Sequence, residues 1–305
     1  MVVKKHVVAI SFVLLFMLIP GCSIQRFAVG QLTKALSADD AATFTGEDDP
    51  QLVRDALPFT MKMYETLLEQ EPGNQRLLLI TGKLFVLYGY EFVALTADTF
   101  TDPKSPECKA VNKRAKKLLL RGRDYVLKGL DLRHPGIMAG IKSGDLNSAL
   151  AKTTPADTEY LFWAGCAWAA AIGSDRSDLG LAMNANRATA LLDKVLQSNE
   201  NYSNGAVHEI FIPLCAALPL SLGGGEKAAR DHFTKAVSCS EGKKAGPYVA
   251  LATSVALKKN DRKEFTDLLE KALAVDCNSL PEYRLQNTIS IERARRLLDH
   301  ADRLF

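Results

Sequence analysis

The chain has 305 residues, of which 47% are hydrophobic and 24% charged, with 38 basic side chains against 35 acidic ones. This composition is typical of a globular protein and excludes a disordered chain, a collagen-like repeat and a polytopic membrane protein. A formal net charge of +3 predicts no nucleic-acid partner, because nucleic-acid binding needs a concentrated basic face. The length suits either two domains or one continuous body of helical repeats.

The N-terminus has the features of a secretory signal. Lys4 and Lys5 precede an uncharged apolar run at residues 7–20, which is too short for a transmembrane helix of about 20 residues. Gly21 and Cys22 end the sequence IPGC, which is similar to a bacterial lipobox, where the cysteine is acylated and the chain is cut before it. An uncleaved signal anchor with a chance cysteine is the alternative interpretation.

The lipobox divides the chain into three parts. We expect a lipoprotein signal peptide at 1–21, a tether at 22–48 that begins with the lipidated Cys22, and a single helical domain at 49–305. Acyl chains on this cysteine hold a protein to a lipid bilayer, since each buried CH₂ contributes about 0.8 kcal/mol. The predicted location is the periplasm of a bacterium with two membranes, with the chain anchored to one of them.

After a polar leader, the sequence predicts one helix after another. Asp49 and Pro50 are placed as the cap and the first turn of a helix, and apolar residues then recur at three- and four-residue spacing to the C-terminus. Proline and glycine interrupt this pattern at 72–73, 135–136 and 223–225, where helices are expected to stop. No hairpin signal separates alternating runs, so the predicted fold class is all-α.

Parts of the helical pattern fit the tetratricopeptide repeat (TPR), a helix pair of about 34 residues. The first helix of each pair needs a small residue where it crosses its neighbour, and Gly82 and Gly165 are in this place. Each glycine costs about 1 kcal/mol of helix propensity, which close helix packing would offset. The period is interrupted, particularly between residues 100 and 158. We therefore predict a TPR-like α-solenoid with degenerate repeats, with coincidental amphipathic helices as the alternative.

By resemblance to that repeat class, certain positions of each first helix face a concave groove. Alignment on Gly82, on Gly165 and on two less certain later registers predicts groove residues for a ligand or partner, namely Arg76, Lys83, Phe162, Cys166, Asn204 and Tyr248. Cations beside an apolar surface suit a carboxylate-bearing ligand, because the cation binds the carboxylate while the apolar surface contacts the hydrocarbon part of the ligand. Alternatively, the two cations are solvated rim residues. His208 is a further candidate, against the alternative of a packed, hydrogen-bonded core histidine.

The motifs of catalysis and metal binding are missing from the sequence. It has no GxSxG, P-loop, HExxH or dinucleotide fingerprint, and its cysteines show no CxxC or zinc-ligand spacing. Five cysteines remain beyond Cys22, so at least one stays a thiol, and Cys166 and Cys215 lie in small-residue stretches where buried thiols are common. We predict that the protein is not an enzyme and has no catalytic residue, metal or cofactor.

Several stretches together resemble the T component associated with certain TRAP transporters, the TatT lipoprotein family. They are 54–59 (RDALPF), 121–130 (RGRDYVLKGL), 201–208 (NYSNGAVH), 227–233 (KAARDHF) and 293–305 (RARRLLDHADRLF). No single motif carries the resemblance, which lies in their order and spacing from the lipobox to the last residue.

The resemblance implies a fold and a role. Members of this family are all-helical, TPR-like periplasmic lipoproteins that self-associate around or near an internal tunnel, and we expect a homo-oligomer, with a trimer as the best guess. The resemblance implies binding to the solute-binding P component of a TRAP transporter and, in the groove or tunnel, to a small hydrophobic or carboxylate-bearing ligand. The alternative function is a TPR adaptor lipoprotein that binds peptides or envelope-assembly proteins and has no role in transport.

Overall fold

The computed structural model describes residues 42–100, 102–175 and 178–305, and the predicted signal peptide and Cys22 lie outside this part. The described residues contain no strand, so the predicted all-α class is confirmed. Their helices are α1 (Ala42–Thr45), α2 (Pro50–Gln70), α3 (Gln75–Leu87), α4 (Pro106–Arg133), α5 (Ile137–Ser143), α6 (Leu146–Leu150), α7 (Thr158–Ser174), α8 (Leu179–Ala182), α9 (Ala185–Ser198), α10 (Ala206–Ala217), α11 (Glu226–Cys239), α12 (Gly246–Leu251), α13 (Arg262–Leu273), α14 (Arg284–Asp299) and α15 (Ala301–Leu304).

Two of these helices continue into π-helical turns, which are rare in proteins and frequent at functional sites. α3 runs into a π turn at Tyr88–Val93 and then into a 3₁₀ turn at Ala94–Thr99. α12 runs into a π turn at Ala252–Ala256. Shorter 3₁₀ turns lie at Pro155–Asp157, Leu220–Leu222 and Pro281–Tyr283.

The helix start predicted at the polar leader is confirmed. The side chain of Asp49 accepts a hydrogen bond of 3.0 Å from the backbone N–H of Leu52, and Pro50 is the first residue of α2. Asn74 caps α3 in the same way, accepting from the N–H of Leu77 at 3.0 Å. Each cap satisfies a backbone donor that the first turn of a helix leaves without a partner.

Both predicted helix crossings are close. α3 crosses α4 at Gly82, where a Cβ atom would lie 2.4 Å from Cγ2 of Val126 and 2.7 Å from the carbonyl oxygen of Gly122. α7 crosses α9 at Gly165, where a Cβ atom would lie 2.8 Å from Cγ of Leu192. Since real Cβ atoms do not approach other atoms so closely, only glycine permits these contacts. A repeat arrangement of the TPR type stays a prediction.

The helices form a closed array. Along the chain, α3 packs on α2 and α4, α4 on α7, α7 on α9 and α10, α10 on α12, and α13 on α12 and α14. α14 then returns to the beginning of the described chain, because Leu285 and Ile289 join the hydrophobic cluster of α2 and α3. In addition, Nη1 of Arg284 donates to the carbonyl oxygen of Gly46 at 3.4 Å. The last long helix of the described chain therefore packs against the first ones.

One stretch of the described chain, Gln75–Thr99, is long and apolar enough to cross a membrane by length and composition alone. It comprises α3 and the π and 3₁₀ turns that follow. In its most apolar window, 78% of the residues are buried inside the fold. Packing in the protein core accounts for this apolar composition.

Candidate functional site

Lys83 and Phe162, two of the predicted groove residues, both contact Trp163. Lys83 is 8% exposed, and its Nζ donates to Oε1 of Glu159 at 2.6 Å and lies 5.5 Å from the centre of the Trp163 ring. The ring of Phe162 packs edge-on against Trp163 at 5.4 Å and against Tyr202 at 5.0 Å. Lys83 is therefore a buried, ion-paired cation, and the alternative of a solvated rim residue does not hold for it.

Cys166, also on α7, lies near an ion pair between Glu209 and Lys244. Nζ of Lys244 lies 2.6 Å from Oε2 of Glu209 and 4.6 Å from the centre of the Tyr283 ring. A Cβ atom on Gly246 would lie 1.8 Å from Oε1 of Glu209, so glycine allows this carboxylate to lie against the start of α12. Burial raises the pKa of the Cys166 thiol well above its usual value, and the thiol is therefore not an activated nucleophile.

Tyr90 and Glu91 lie in the π turn after α3, and both side chains are partly accessible. Burial raises the pKa of Tyr90 to about 12, although 38% of this residue is accessible. Many protein atoms therefore surround Tyr90, although part of its surface remains accessible. Burial, reinforced by the Glu209 carboxylate and opposed by Arg293 and Lys244, raises the pKa of Glu91 to about 8.

Arg293 of α14 interacts electrostatically with both Tyr90 and Glu91. Its Nε donates to Oδ2 of Asp98 at 2.6 Å, which ties α14 to the 3₁₀ turn that follows α3. We use the term interior cluster for six side chains with mutual electrostatic interactions, namely Tyr90, Glu91, Asp98, Glu209, Lys244 and Arg293. The interior cluster thus brings three carboxyl groups, two cations and a phenol near one another.

Within the described ranges, no group of three or more His, Cys, Asp or Glu side chains is placed to hold a metal ion. The five cysteines of the described chain are free thiols, and Cys166 and Cys215 are buried, as expected for those two. The interior cluster therefore offers charged and phenolic groups to a ligand.

Comparison with known proteins connects this helical array to transport. The family model described as TRAP transporter T-component matches residues 46–305. The chain belongs to the TRAP transporter T-component family. It is also 32% identical over 308 residues to a protein of Treponema pallidum (strain Nichols) described as an uncharacterized protein, and the match covers 95% of this chain and 94% of the relative.

Membership of the T-component family confirms the resemblance found in the sequence and gives the chain an accessory role in TRAP transport. Members of the family are components of membrane-linked transport systems, and the family is not a known enzyme family. The matched range contains every predicted groove residue and the whole interior cluster.

In this member of the T-component family, two of the predicted groove residues lie in surface pockets. Arg76 is exposed, in a pocket of about 510 Å³ that is also lined by Arg133, Glu159 and Tyr160. Tyr248 lies in a different pocket, of about 390 Å³, beside residues such as Lys271, Val275 and Asp276. Arg76 is thus near the Glu159 partner of Lys83, whereas Tyr248 is apart from it.

Asn204 and His208 also lie apart from Lys83. Asn204 adopts a left-handed backbone conformation with φ of 51° before α10, and its Nδ2 donates to Oε1 of Glu282 at 3.4 Å. His208 is 1% exposed, and its Nδ1 lies 2.9 Å from Nδ1 of His232. Its burial agrees with the alternative of a packed, hydrogen-bonded histidine.

The interior cluster was missed by the groove assignment, although the sequence carries a signal for part of it. Glu91 is the one Asp, Glu, Lys or Arg residue between 84 and 97, and Glu209 is the one between 201 and 225. Burial of a single charged side chain in a long apolar helical run costs free energy, unless that side chain has a role in packing or binding. Such isolated charges point to interior polar sites.

Proposed function

We propose that the protein is a periplasmic, membrane-anchored lipoprotein that acts as the accessory T component of a TRAP-type transport system and binds its solute-binding P component. The family match over residues 46–305 carries this proposal, and the full-length similarity to the Treponema relative supports it. The anchor is the acylated Cys22, joined to the helical domain by the tether at 22–48.

The proposal includes a small hydrophobic or carboxylate-bearing ligand in the interior. Apolar and aromatic surface around Phe162 and Trp163 supports binding of the hydrophobic part. Lys83, whose Nζ lies 5.5 Å from the centre of the Trp163 ring, supplies a cation beside this surface, which supports binding of a carboxylate.

Self-association, with a trimer as the expected form, is also proposed. Leu52 and Phe59 are 56% and 76% exposed, and they lie two turns apart on one face of α2. Large apolar side chains that are exposed together favour a protein interface, because their burial against a partner is stabilising.

Sedimentation velocity tests the transporter role and the oligomeric state together. The chain from Ser23 onward, which retains every described residue, is mixed at tens of micromolar with the solute-binding P component of the TRAP system from the same organism. A faster-sedimenting complex of defined stoichiometry is expected, and a solute-binding protein from an unrelated system serves as the control. If no complex forms with the P component, the TPR adaptor interpretation is favoured.

Lipidation is tested separately in growing cells. Labelled palmitate is expected to enter the wild-type chain and to be absent from Cys22→Ala, with the wild-type protein in the membrane fraction. Equal labelling of the two chains would contradict the assignment of Cys22.

A further inference from the structure

Exposed lysines and exposed apolar side chains lie together where α4 contacts the start of α8. We propose that this surface, which we call the basic face, lies against a bilayer that contains anionic lipids. The basic face consists of Lys109, Lys113, Lys117, Leu179 and Met183, all of them exposed. The inference rests on the proposed membrane anchor, and it adds a second contact between the helical domain and the same membrane.

The first half of α4 carries a large excess of positive charge. Between residues 104 and 123 the sequence has eight Lys or Arg residues and one acidic residue, Glu107. One side of the helix, an arc of about 100°, contains Lys109, Lys113, Lys116 and Lys117. Glu107 lies outside this arc. The positive charge of α4 is therefore concentrated on one side of the helix.

One of these four lysines is paired within the protein. Nζ of Lys116 lies 2.5 Å from Oδ2 of Asp175 and 3.0 Å from Oδ2 of Asp178. The other three lysines make no ion pair with any residue that the structure describes. Asp124, the next acidic residue along this side of α4, lies 2.9 Å from Nη2 of Arg123. The three lysines of the basic face are thus available to an anionic partner.

Two exposed apolar side chains lie beside these lysines. Asp178, which pairs with Lys116, caps α8, and Leu179 is the next residue of the chain. Leu179 is 74% exposed and Met183 is 82% exposed, and their spacing of four residues places them on the same side of the helical turn. Cations next to exposed apolar side chains suit a membrane surface, because the cations meet lipid phosphates while the apolar groups enter the acyl region.

The predicted tether is long enough for this contact. Cys22 is 20 residues before Ala42, where the described residues begin, and 20 residues extend over at most about 70 Å. Arg284, at the start of α14, bonds to the backbone beside α1, and Arg293 of the same helix bonds to Asp98 in the 3₁₀ turn before α4. These two arginines are about 14 Å apart along the helix. The bilayer that holds the anchor is therefore within reach of the basic face.

Vesicle flotation of the unacylated chain from Ser23 onward tests the basic face without the anchor. Vesicles of phosphatidylcholine with about 30% phosphatidylglycerol are compared with vesicles of phosphatidylcholine alone. Binding to the anionic vesicles is expected to be about tenfold tighter, and about 0.5 M salt should remove most of the difference, because salt screens exposed charges. Equal binding to both kinds of vesicle, or binding to neither, would overturn the inference.

A triple variant tests the lysines: Lys109→Gln, Lys113→Gln and Lys117→Gln. It is expected to bind anionic vesicles about tenfold more weakly, since each cation near such a surface adds to the attraction. The control removes as many charges from exposed positions on α11 and α13, through Lys227→Gln, Lys263→Gln and Lys271→Gln. The control should bind within about twofold of the wild type. An equal loss in both triple variants would show that net charge alone attracts the protein, and the basic face would be rejected.

The apolar part of the basic face is tested by Leu179→Ser combined with Met183→Ser. This variant should bind about tenfold more weakly, because fewer apolar groups enter the bilayer. Leu220→Ser combined with Leu222→Ser is the control, at positions that are 81% and 64% exposed in the turn before α11, and it should bind as the wild type does. Circular dichroism verifies that all variants keep their helices. Unchanged binding of the first variant would contradict the basic face as defined.

Sedimentation with the P component separates this inference from the proposed function. The lysine variant is expected to form the same complex as the wild type, because its lysines contact lipid. Loss of the complex with normal vesicle binding would show that this surface binds an acidic protein, and the inference would be wrong. Normal vesicle binding by a wild-type chain that forms no complex removes only the transporter role, and normal vesicle binding without palmitate on Cys22 removes only the anchor.

Discussion

Nζ of Lys83 lies 2.6 Å from Oε1 of Glu159, and this ion pair joins α3 to α7 across 76 residues of sequence. The two side chains differ in exposure, with 9% of Lys83 and 32% of Glu159 accessible. Loss of the carboxylate is therefore more damaging than loss of the ammonium group, because it removes the counter-charge from the more deeply buried partner.

This difference predicts the effects of two substitutions. Glu159→Ala should lower the free energy of unfolding by about 1–3 kcal/mol, because the buried Lys83 loses its carboxylate partner. Lys83→Met should cost less, since methionine retains the apolar contacts of the lysine stem and leaves the partly exposed Glu159 in reach of water. Urea denaturation of both variants measures the difference, and a greater loss in Lys83→Met would contradict the explanation.

The close crossing of α3 and α4 predicts that Gly82→Ala is destabilising. The added Cβ atom would lie 2.4 Å from Val126 and 2.7 Å from the backbone oxygen of Gly122, so the helices would have to separate. We expect a loss of about 1–3 kcal/mol, as is usual for overpacking.

Gly173→Ala is the matched control in a helix. Gly173 is inside α7, and a Cβ atom there would meet nothing within 4 Å. Alanine should therefore stabilise the protein by up to about 1 kcal/mol through helix propensity. If thermal unfolding shows the same change for both glycines, close packing does not explain Gly82.

The sequence was sufficient to predict the helices and two of their crossings, because caps and small residues act over a few turns. Asp49 and Gly82 have the roles that their local sequence predicted. The interior cluster required information of another kind. The position of Glu91 depends on a π turn, which no sequence pattern predicted. Arg293 bonds to Asp98, 195 residues away, only because α14 packs against the beginning of the described chain.

The groove assignment shows the same limit. It rests on a repeat register, and this register places Lys83 and Phe162 in one region of the fold. The later registers were less certain because the period is interrupted, and Tyr248 lies in a separate surface pocket. A local pattern loses its predictive value where inserted turns shift the phase of the helices.

The contact between His208 and His232 predicts that stability depends on pH. Burial, reinforced by His208, lowers the pKa of His232 to about 4, compared with about 6.5 in an unfolded chain. Between these pH values the unfolded chain binds more protons than the folded one, so the free energy of unfolding falls as the pH falls from about 6.5 towards 4. Above this window the contribution is constant.

His232→Gln should make this pH dependence shallower, because glutamine does not titrate and can still bond to Nδ1 of His208. The control is His300→Gln, at an exposed position, which should leave the dependence unchanged. Urea midpoints measured at several pH values check both variants. An identical acid dependence in the wild type and His232→Gln would exclude the histidine pair as its source.

Asp157, fully buried before α7, predicts a second acid effect at lower pH. Although burial opposes its ionisation, hydrogen bonds from Thr154, Arg133 and His134 hold its pKa at about 2, compared with 3.8 for an ordinary aspartate. Its contribution to stability is therefore complete above about pH 4 and is lost as the pH falls towards 2.

Asp157→Asn should lower the free energy of unfolding by about 3 kcal/mol at neutral pH, since Arg133 no longer faces a carboxylate. The variant should also lose less stability than the wild type when the pH is lowered. Asp145→Asn, at an exposed cap without a side-chain hydrogen bond, should change neither quantity. Equal stability of the two variants at neutral pH would show that the buried carboxylate does not hold α4 to α7.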